Sequence, residues 1–194
     1  MARPKTFDPE QALDQAVELF WCKGFENTSM QDLVDRMGIN RGSLYDTFGD
    51  KHALYLKALD RYINRHSIRL VAEQEAGKPA RDILRSMLYR LADCTTEECP
   101  ELKRGCLMTN TICELCTRDG DVATVVRDSL QRMEDAVAGI IAEGQAQGQI
   151  APDKDSRALA RFFLTTLQGM QVMRKAHTSP DVLRQIANQA LSLI

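Results

Sequence analysis

Apolar residues recur along the chain at the three- and four-residue spacing of amphipathic helices, and no stretch shows the two-residue alternation of a strand. Glycine and proline interrupt this pattern and divide it into nine predicted helices. Their approximate bounds are 9–23, 28–37, 40–48, 51–75, 79–94, 103–117, 121–147, 153–177 and 179–194. The pattern predicts an all-α protein in which three short N-terminal helices precede a longer helical bundle.

Composition narrows the class of protein. The 194 residues include 25 Lys and Arg against 27 Asp and Glu, and 44% are hydrophobic, which is too many for a disordered chain. No apolar run approaches the ~20 residues of a spanning helix, so no membrane association is predicted. The net charge of −2 argues against a protein that coats polyanions without specificity, such as a chromatin protein. A compact DNA reader remains possible because it needs positive charge only where it touches phosphate.

Six cysteines raise the question of disulfides; they are Cys22, Cys94, Cys99, Cys106, Cys113 and Cys116. The first residues carry basic side chains without an apolar segment behind them, so no secretion signal is predicted. A chain of this length can also bury a stable core without disulfide bonds, which favours reduced thiols and a cytoplasmic protein. Zinc is a weaker alternative because Cys113 and Cys116 form a single Cys-x-x-Cys pair. No metal or cofactor is predicted, and Cys22 is expected in the core.

The segment 28–51, TSMQDLVDRMGINRGSLYDTFGDK, has the layout of a helix-turn-helix. Thr28 or Ser29 caps one short helix, Gly38 and Ile39 form a tight turn, and a second short helix follows. In such a motif the second helix lies in the major groove and reads base edges with its N-terminal residues.

This segment resembles the DNA-binding domain of the TetR family of one-component transcription regulators, above all in GINRGSLYDTFGDKHAL. The resemblance is good over about residues 5–60 and loose beyond. It implies a helix-turn-helix DNA-binding domain over 1–52 and a helical ligand-sensing and dimerisation domain over 53–194. It also implies a non-enzymatic homodimeric repressor that binds an inverted-repeat operator on double-stranded DNA and is released by a small molecule or cysteine modification. Activation stays open as another mode.

Carried over by position, the resemblance implies a set of DNA-contacting residues: Thr28, Ser29, Arg41, Gly42, Ser43, Tyr45, Thr47 and Lys51. Arg41 can donate two hydrogen bonds to guanine, and Gly42 permits close backbone approach. Thr28 and Ser29 would present hydroxyls and backbone N–H groups to a phosphate. Arg3 and Lys5 are expected to form a basic arm. Two alternatives stay open: Tyr45 packs as a rim residue, and Lys51 is a solvated helix-start residue.

The charge of this segment opposes strong phosphate binding. Residues 1–52 contain six basic and nine acidic side chains, a net charge of −3. Asp46, within the reading helix, would repel phosphate unless it accepts a hydrogen bond from a cytosine amino group. We therefore expect a modest salt dependence and binding that depends on dimerisation.

Two apolar stripes in the last two helices predict a dimer interface. They comprise Leu159, Phe162, Phe163, Thr166, Leu167, Met170 and Met173, and then Val182, Ile186, Ala187, Ala190, Leu191 and Ile194. A two-fold dimer would place its reading helices about 34–36 Å apart, one turn of duplex. The alternative is that both stripes face the core of their own protomer.

The predicted sensor has two versions. Apolar residues of the middle helices would suit a hydrophobic or aromatic ligand, or else form ordinary core; they include Met87, Leu107, Phe163, Leu167 and Met170.

The second version rests on Cys106 and Cys113, which are seven residues apart on one predicted helical face. Cys106 follows Lys103 and Arg104 near a helix N-terminus, where the helix dipole and the cations are expected to lower the pKa of its thiol. RGCLMTNTICEL also resembles the cysteine-containing segment of the electrophile-sensing TetR subgroup, and Lys175 is a further possible partner for the sulfur. The alternative is that these cysteines are small buried hydrophobes.

Two other classes of protein remain alternatives. A helical-bundle enzyme or metalloprotein is opposed by scattered histidines and by the lack of a Glu-x-x-His pair, phosphate loop or nucleophile elbow. A helix-turn-helix protein that binds only protein partners would not need Arg41.

Overall fold

The computed structural model describes residues 7–75, 77–93, 104–176 and 178–194, with the backbone alone for 66–75. Over these residues the chain forms nine α-helices and no strand, which confirms the predicted all-α class. The helices are α1 (Pro9–Lys23), α2 (Met30–Met37), α3 (Arg41–Phe48), α4 (Lys51–Glu75), α5 (Ala80–Asp93), α6 (Leu107–Glu114), α7 (Gly120–Ala146), α8 (Ser156–Lys175) and α9 (Pro180–Ser192). The predictions made on Arg3, Lys5, Cys94 and Cys99 lie outside the described residues.

Short polar side chains begin the helices where the sequence predicts. The Asp8 carboxylate accepts from the N–H of Glu10 before α1, and Asn40 and Ser179 cap α3 and α9 in the same way. Ser29 forms a full capping box with Asp32 at the start of α2. Each cap satisfies N–H groups that the first helical turn leaves without partners, so the local sequence fixes these starts closely.

α6 is shorter than predicted. The pattern indicates a helix over about 103–117, but α6 covers only Leu107–Glu114. Gly105 has a φ of +72°, in the left-handed region, so the chain cannot be helical there and Cys106 becomes the N-cap. After Glu114 the chain turns towards α7, which Asp119 caps. The shorter helix places Cys106 at its very start.

Two apolar cores hold the helices together. The N-terminal core joins α1–α4 to α6 and the start of α7, and its largest fully buried side chains include Tyr55, Phe20, Leu33 and Leu44. The C-terminal core joins α5, the second half of α7, α8 and α9 around residues such as Phe163. α6 therefore packs with the N-terminal helices. The boundary between residues 52 and 53 stays a prediction.

The turn between α2 and α3 has the predicted construction. Gly38 has a φ of +67°, and its N–H donates to the carbonyl of Val34. The next residue, Ile39, is buried between the two helices with Leu33 and Leu44. This packing sets the direction in which α3 leaves the body of the protein. None of the helices, as far as the chain is described, is long and apolar enough to cross a membrane.

Candidate functional site

The outer face of α3, called here the reading face, consists of Arg41, Gly42, Tyr45 and Asp46, all exposed. Tyr45 is 42% exposed, and the guanidinium carbon of Arg41 lies 5.8 Å from its ring centroid. A cation at the first position of α3 and a phenol one turn later thus lie side by side on its exposed face. This arrangement suits contacts to base edges and phosphates in a major groove.

Both ends of α3 are fixed by hydrogen bonds. The side-chain oxygen of Asn40 accepts from the backbone N–H of Ser43 at 2.8 Å. At the other end, the ammonium of Lys57 on α4 lies 3.4 Å and 3.3 Å from the carbonyl oxygens of Thr47 and Phe48. The side chains of Ser43 and Thr47 are half-buried. Lys57 is a supporting residue that no sequence motif indicated.

The structure corrects one predicted phosphate contact at the start of α2. Thr28 is buried, and its hydroxyl donates to the carbonyl of Gly24 at 2.6 Å, so it does not face solvent. Ser29 is exposed, but its Oγ already bonds to Asp32. Lys23 and the Ser29 donors hold the pKa of the Asp32 carboxyl well below its usual range. The Asp32 carboxylate therefore occupies the backbone and hydroxyl donors of Ser29 that would bind a phosphate.

The start of α4 contacts the body of the molecule through Lys51 and His52. The Lys51 ammonium lies 4.3 Å from the centroid of the Phe25 ring, within cation–π distance. His52 Nε2 lies 2.7 Å from a carboxylate oxygen of Asp119, the N-cap of α7. The N–H of Val122, and then His52, hold the pKa of Asp119 below its usual range. These contacts join the helix after the reading face to α7.

The same histidine belongs to the one group of potential metal ligands within the described ranges, His52, Asp119 and Asp121. Their ligand atoms lie within 4.8 Å of one another. Both carboxylate oxygens of Asp119 are already engaged, one by backbone N–H groups and one by His52. The group is therefore built as a helix cap and a hydrogen bond between His52 and Asp119.

A cleft of about 520 Å³ opens between α1, α6 and α8. Three thiols line it, those of Cys22, Cys106 and Cys113, and we call it the thiol cleft. The remaining walls are largely polar and include Trp21, Asn27, Thr109, Asn110, Glu114, Gln171 and Lys175. The fold thus brings together Cys106, Cys113 and Lys175, three residues that the sequence singled out separately.

Cys106 is half-buried at the N-cap of α6, where no side chain caps the helix. The hydroxyl of Tyr62 on α4 donates to its sulfur at 3.5 Å. The indole N–H of Trp21 donates to the carbonyl of the preceding residue, Gly105, at 3.0 Å. The thiol therefore lies at a three-way contact between α1, α4 and α6.

Of the three cations that the sequence placed near this sulfur, Lys103 lies outside the described residues, and the other two have defined partners. Arg104 forms an ion pair with Glu18 of α1 and lies 5.9 Å from the ring centroid of Trp21. Lys175, at the end of α8, donates to the side-chain oxygen of Asn110 at 3.1 Å. Its chain passes close to Gly105, because a Cβ built there would lie 3.4 Å from the Lys175 Cδ. Lys175 thus lies beside the residue that precedes Cys106.

Cys22 and Cys116 are the other two cysteines in the described residues. Cys22 is exposed, not part of the core, because the buried face of α1 is set by Ala16, Val17 and Phe20 and position 22 lies outside it. Cys116 lies beyond the end of α6 and does not line the thiol cleft. Burial raises the pKa of the Cys116 thiol, which makes it a poorer nucleophile at neutral pH.

The predicted apolar pocket residues lie elsewhere. Phe163, Leu167 and Met170 are buried in the C-terminal core, and Met87 packs against it. Leu107 is buried in the N-terminal core. None of these side chains lines the thiol cleft. The apolar candidates are therefore divided between the two cores, whereas the cysteine version of the sensor corresponds to the thiol cleft.

The apolar stripes of α8 and α9 divide between core and surface. Phe163 and Leu167 of α8 and Leu183 and Ala187 of α9 face their own core. Other apolar side chains are 41–42% exposed, namely Phe162 and Met173 of α8, Val182 of α9, and Leu193 directly after α9. Val172 of α8 is 53% exposed and lines the thiol cleft. Apolar side chains of both helices are thus left in solvent outside the core.

Taken together, a tight glycine turn, a capped short helix with a free outer face and a buried inner face define a helix-turn-helix DNA-binding protein. Residues 12–58 match the profile of the bacterial regulatory proteins of the tetR family, and residues 80–190 match the tetracyclin repressor-like C-terminal domain. The chain belongs to the TetR family.

Individual relatives match the whole chain. The HTH-type transcriptional repressor ComR of Escherichia coli K12 is 34% identical over 195 residues, covering 98% of this chain and 90% of that protein. The regulator YezE of Bacillus subtilis is 29% identical over the full length of both. A solved structure of a cysteine mutant of the TetR family regulator CifR, in complex with a 26 bp double-strand operator, has a TM-score of 0.84 and 28% identity, covering 98% of each chain.

Proposed function

We propose that this protein is a homodimeric transcriptional repressor that binds an inverted-repeat operator through α3 and dissociates when an electrophile or oxidant modifies Cys106. The observation that carries this proposal is the position of the thiol cleft. Its walls come from α1, which packs against α2 of the helix-turn-helix, and from α6 and α8. A change at this cleft therefore acts directly on the part of the protein that supports the reading face.

The reading face supports DNA binding. Arg41 is exposed at the first position of α3, where a guanidinium reaches the O6 and N7 acceptors of guanine. In this proposal Tyr45, which is exposed on the reading face, and Lys51, the first residue of α4, contact phosphates. The CifR complex with operator DNA and the repressor ComR support the same use of the fold. In this proposal residues 1–52 bind DNA and residues 53–194 sense and dimerise.

The exposed apolar surface of α8 and α9 supports a homodimer. Burying an apolar side chain such as Phe162 or Met173 against a second copy is favourable by about 25 cal/mol for each Å² removed from water. Gly169 is exposed on the same helix, and no atom lies within 4 Å of a Cβ built there. A partner helix can therefore approach α8 closely.

The chemistry of the thiol cleft favours a small reactive effector over a large hydrophobic ligand. Its lining is rich in amide, hydroxyl and ammonium groups, whereas the apolar residues of the alternative pocket are packed core. In the proposed reaction the Cys106 thiol loses its proton and the sulfur bonds to an electrophilic carbon, such as the alkene carbon of N-ethylmaleimide. The adjacent alkene carbon then takes up a proton. With diamide as the oxidant, the sulfur bonds to one nitrogen of the N=N bond and the other nitrogen takes up the proton. The adduct adds bulk where α1, α4 and α6 meet.

A DNA-binding assay tests the proposal. Full-length protein is titrated onto DNA from upstream of its own gene, before and after treatment with N-ethylmaleimide, or with diamide as the oxidant. We expect wild-type protein to release the DNA on treatment and Cys106→Ser to remain bound. Cys116→Ser, which alters a thiol outside the cleft, is the matched control and should respond like wild type. Equal release of Cys106→Ser would contradict the proposal, as would wild-type protein without preference for any duplex.

A further inference from the structure

Glu114, the last residue of α6, reaches out of its own helix to the turn between α1 and α2. Its two carboxylate oxygens accept from the backbone N–H groups of Phe25 and Glu26, at 3.2 Å and 2.9 Å. A charge-assisted hydrogen bond to a backbone N–H is about twice as strong as a neutral one. This carboxylate therefore holds a turn that lies 88 residues away in the sequence.

The turn is shaped to receive the carboxylate. Gly24 has a φ of +78°, and a Cβ built there would lie 2.9 Å from one oxygen of Glu114. A side chain at position 24 would therefore displace Glu114 as well as strain the backbone. The same Gly24 carbonyl accepts from the Thr28 hydroxyl, directly before α2. The carboxylate and α2 are thus connected through one short turn.

Glu114 also faces the thiol cleft. Both Glu114 and Gly24 line it, and Cys113 is the neighbouring residue on α6. Tyr55 of α4 holds the middle of the same helix through a 2.7 Å hydrogen bond to Thr111. Burial raises the pKa of Tyr55 to about 12, so its hydroxyl keeps its proton and this bond at physiological pH. Tyr55 therefore restrains the middle of α6, while Glu114 at its end connects any movement of the helix to the turn before α2.

We infer that Glu114 is the positioning residue through which the state of the thiol cleft reaches the helix-turn-helix. With the cleft unmodified, its carboxylate holds the turn at 24–26 and with it α2. An adduct in the cleft displaces α6, and the N–H groups of Phe25 and Glu26 lose their acceptor. The inference rests on the proposed function, since it names the route by which modification of that site is relayed.

The experiment measures operator affinity and amide exchange together on the full-length protein, with N-ethylmaleimide as the probe. In wild-type protein we expect modification to weaken operator binding about tenfold or more, within the usual range of coupling between two sites. Glu114→Ala should bind the operator more weakly before modification, and treatment should then weaken it by less than about threefold. Glu114→Gln keeps one acceptor oxygen and should recover part of the response. Glu143→Ala, an exposed glutamate of α7, is the control.

Hydrogen exchange at Phe25 and Glu26 separates this inference from the proposed function. Modification of wild-type protein should speed exchange at both amides, and Glu114→Ala should show the fast rate without modification. If wild-type protein is modified without losing DNA, the proposed release fails, while the exchange rates still decide whether Glu114 relays the change. A Glu114→Ala protein with the wild-type response to modification would overturn the inference. So would wild-type exchange rates that the adduct leaves unchanged.

Discussion

The reading face draws its exposed side chains from six consecutive residues of α3, whereas the thiol cleft draws its walls from three helices that are far apart in the sequence. The reading face is determined locally, by helix caps, a glycine turn and the buried inner side of α3. The thiol cleft forms only when α1, α6 and α8 pack together. The two regions therefore respond differently to substitution, because one depends on side chains that touch solvent and the other on helices that touch each other.

The first prediction separates the core of α8 from its surface. Phe163→Ala should lower the free energy of unfolding by about 3–5 kcal/mol, because it leaves a cavity in the C-terminal core. Its neighbour Phe162 is 42% exposed, and Phe162→Ala should instead weaken the association of protomers. Urea denaturation and analytical ultracentrifugation of both variants provide the measurements. A small loss of stability for Phe163→Ala would return that residue to the list of pocket-lining candidates.

The second prediction concerns the charge behind the reading face. Residues 1–52 contain six basic side chains, so each protomer should neutralise no more than about six phosphates. Operator affinity per protomer should then fall by no more than about 10³-fold between 50 and 200 mM salt. Fluorescence anisotropy across a salt series gives the slope directly. A much steeper slope would mean that cations outside this segment carry the binding.

The third prediction concerns Arg41 itself. Arg41→Ala should weaken operator binding by about 1–3 kcal/mol and relax the preference for the base it contacts, because a bidentate contact to guanine is lost. Arg85→Ala is the control for loss of a positive charge, because it removes an exposed cation of α5 that, like Arg41, lies beside a tyrosine ring. Titration of each variant with operator and with scrambled duplex measures both effects. Equal losses on the two duplexes would reassign Arg41 to phosphate.

The fourth and smallest prediction tests the joint between α4 and α7. Asp119→Ala removes an N-cap and the hydrogen bond to His52, and it should lower the free energy of unfolding by about 1 kcal/mol at pH 7. Because the pKa of Asp119 is lowered in the folded protein, its stabilisation is complete above the ordinary value of about 4 and declines as the pH falls through the lowered pKa. Wild type and variant should therefore converge in acid.

Denaturation at pH 7, 5 and 3 measures this convergence. Asp128→Ala, an exposed aspartate further along α7, serves as the comparison. A difference between wild type and Asp119→Ala that stays constant down to pH 3 would show that the carboxylate charge has no part in the joint.

The local features of the fold were predictable from the sequence because each depends on a few neighbouring residues. Three helix starts are predicted by side chains that accept hydrogen bonds from N–H groups two or three residues ahead, those of Asp8, Ser29 and Ser179. Gly38 predicts the turn before α3. These interactions have short range, so no knowledge of the rest of the chain is needed.

The thiol cleft was only partly predictable. The basic residues before Cys106 mark it in the sequence as a candidate reactive thiol. In the fold, however, Arg104 forms an ion pair with Glu18 of α1, which is far away in the sequence. The sequence predicts Cys22 in the core and Thr28 at a phosphate, but Cys22 is exposed and Thr28 is buried. Both outcomes depend on how α1 packs, which the local sequence does not determine. Glu114 carries no local signal at all, because its two donors belong to another part of the sequence.

The chain contains a single tryptophan, and Trp21 lies at the wall of the thiol cleft with its indole N–H bonded to the residue before Cys106. Its fluorescence therefore reports from one place alone. Loss of that hydrogen bond, or a new group against the ring, changes the wavelength and yield of emission without any added dye. Stopped-flow recording of this emission beside the anisotropy of labelled operator would show in what order the cleft and the DNA respond.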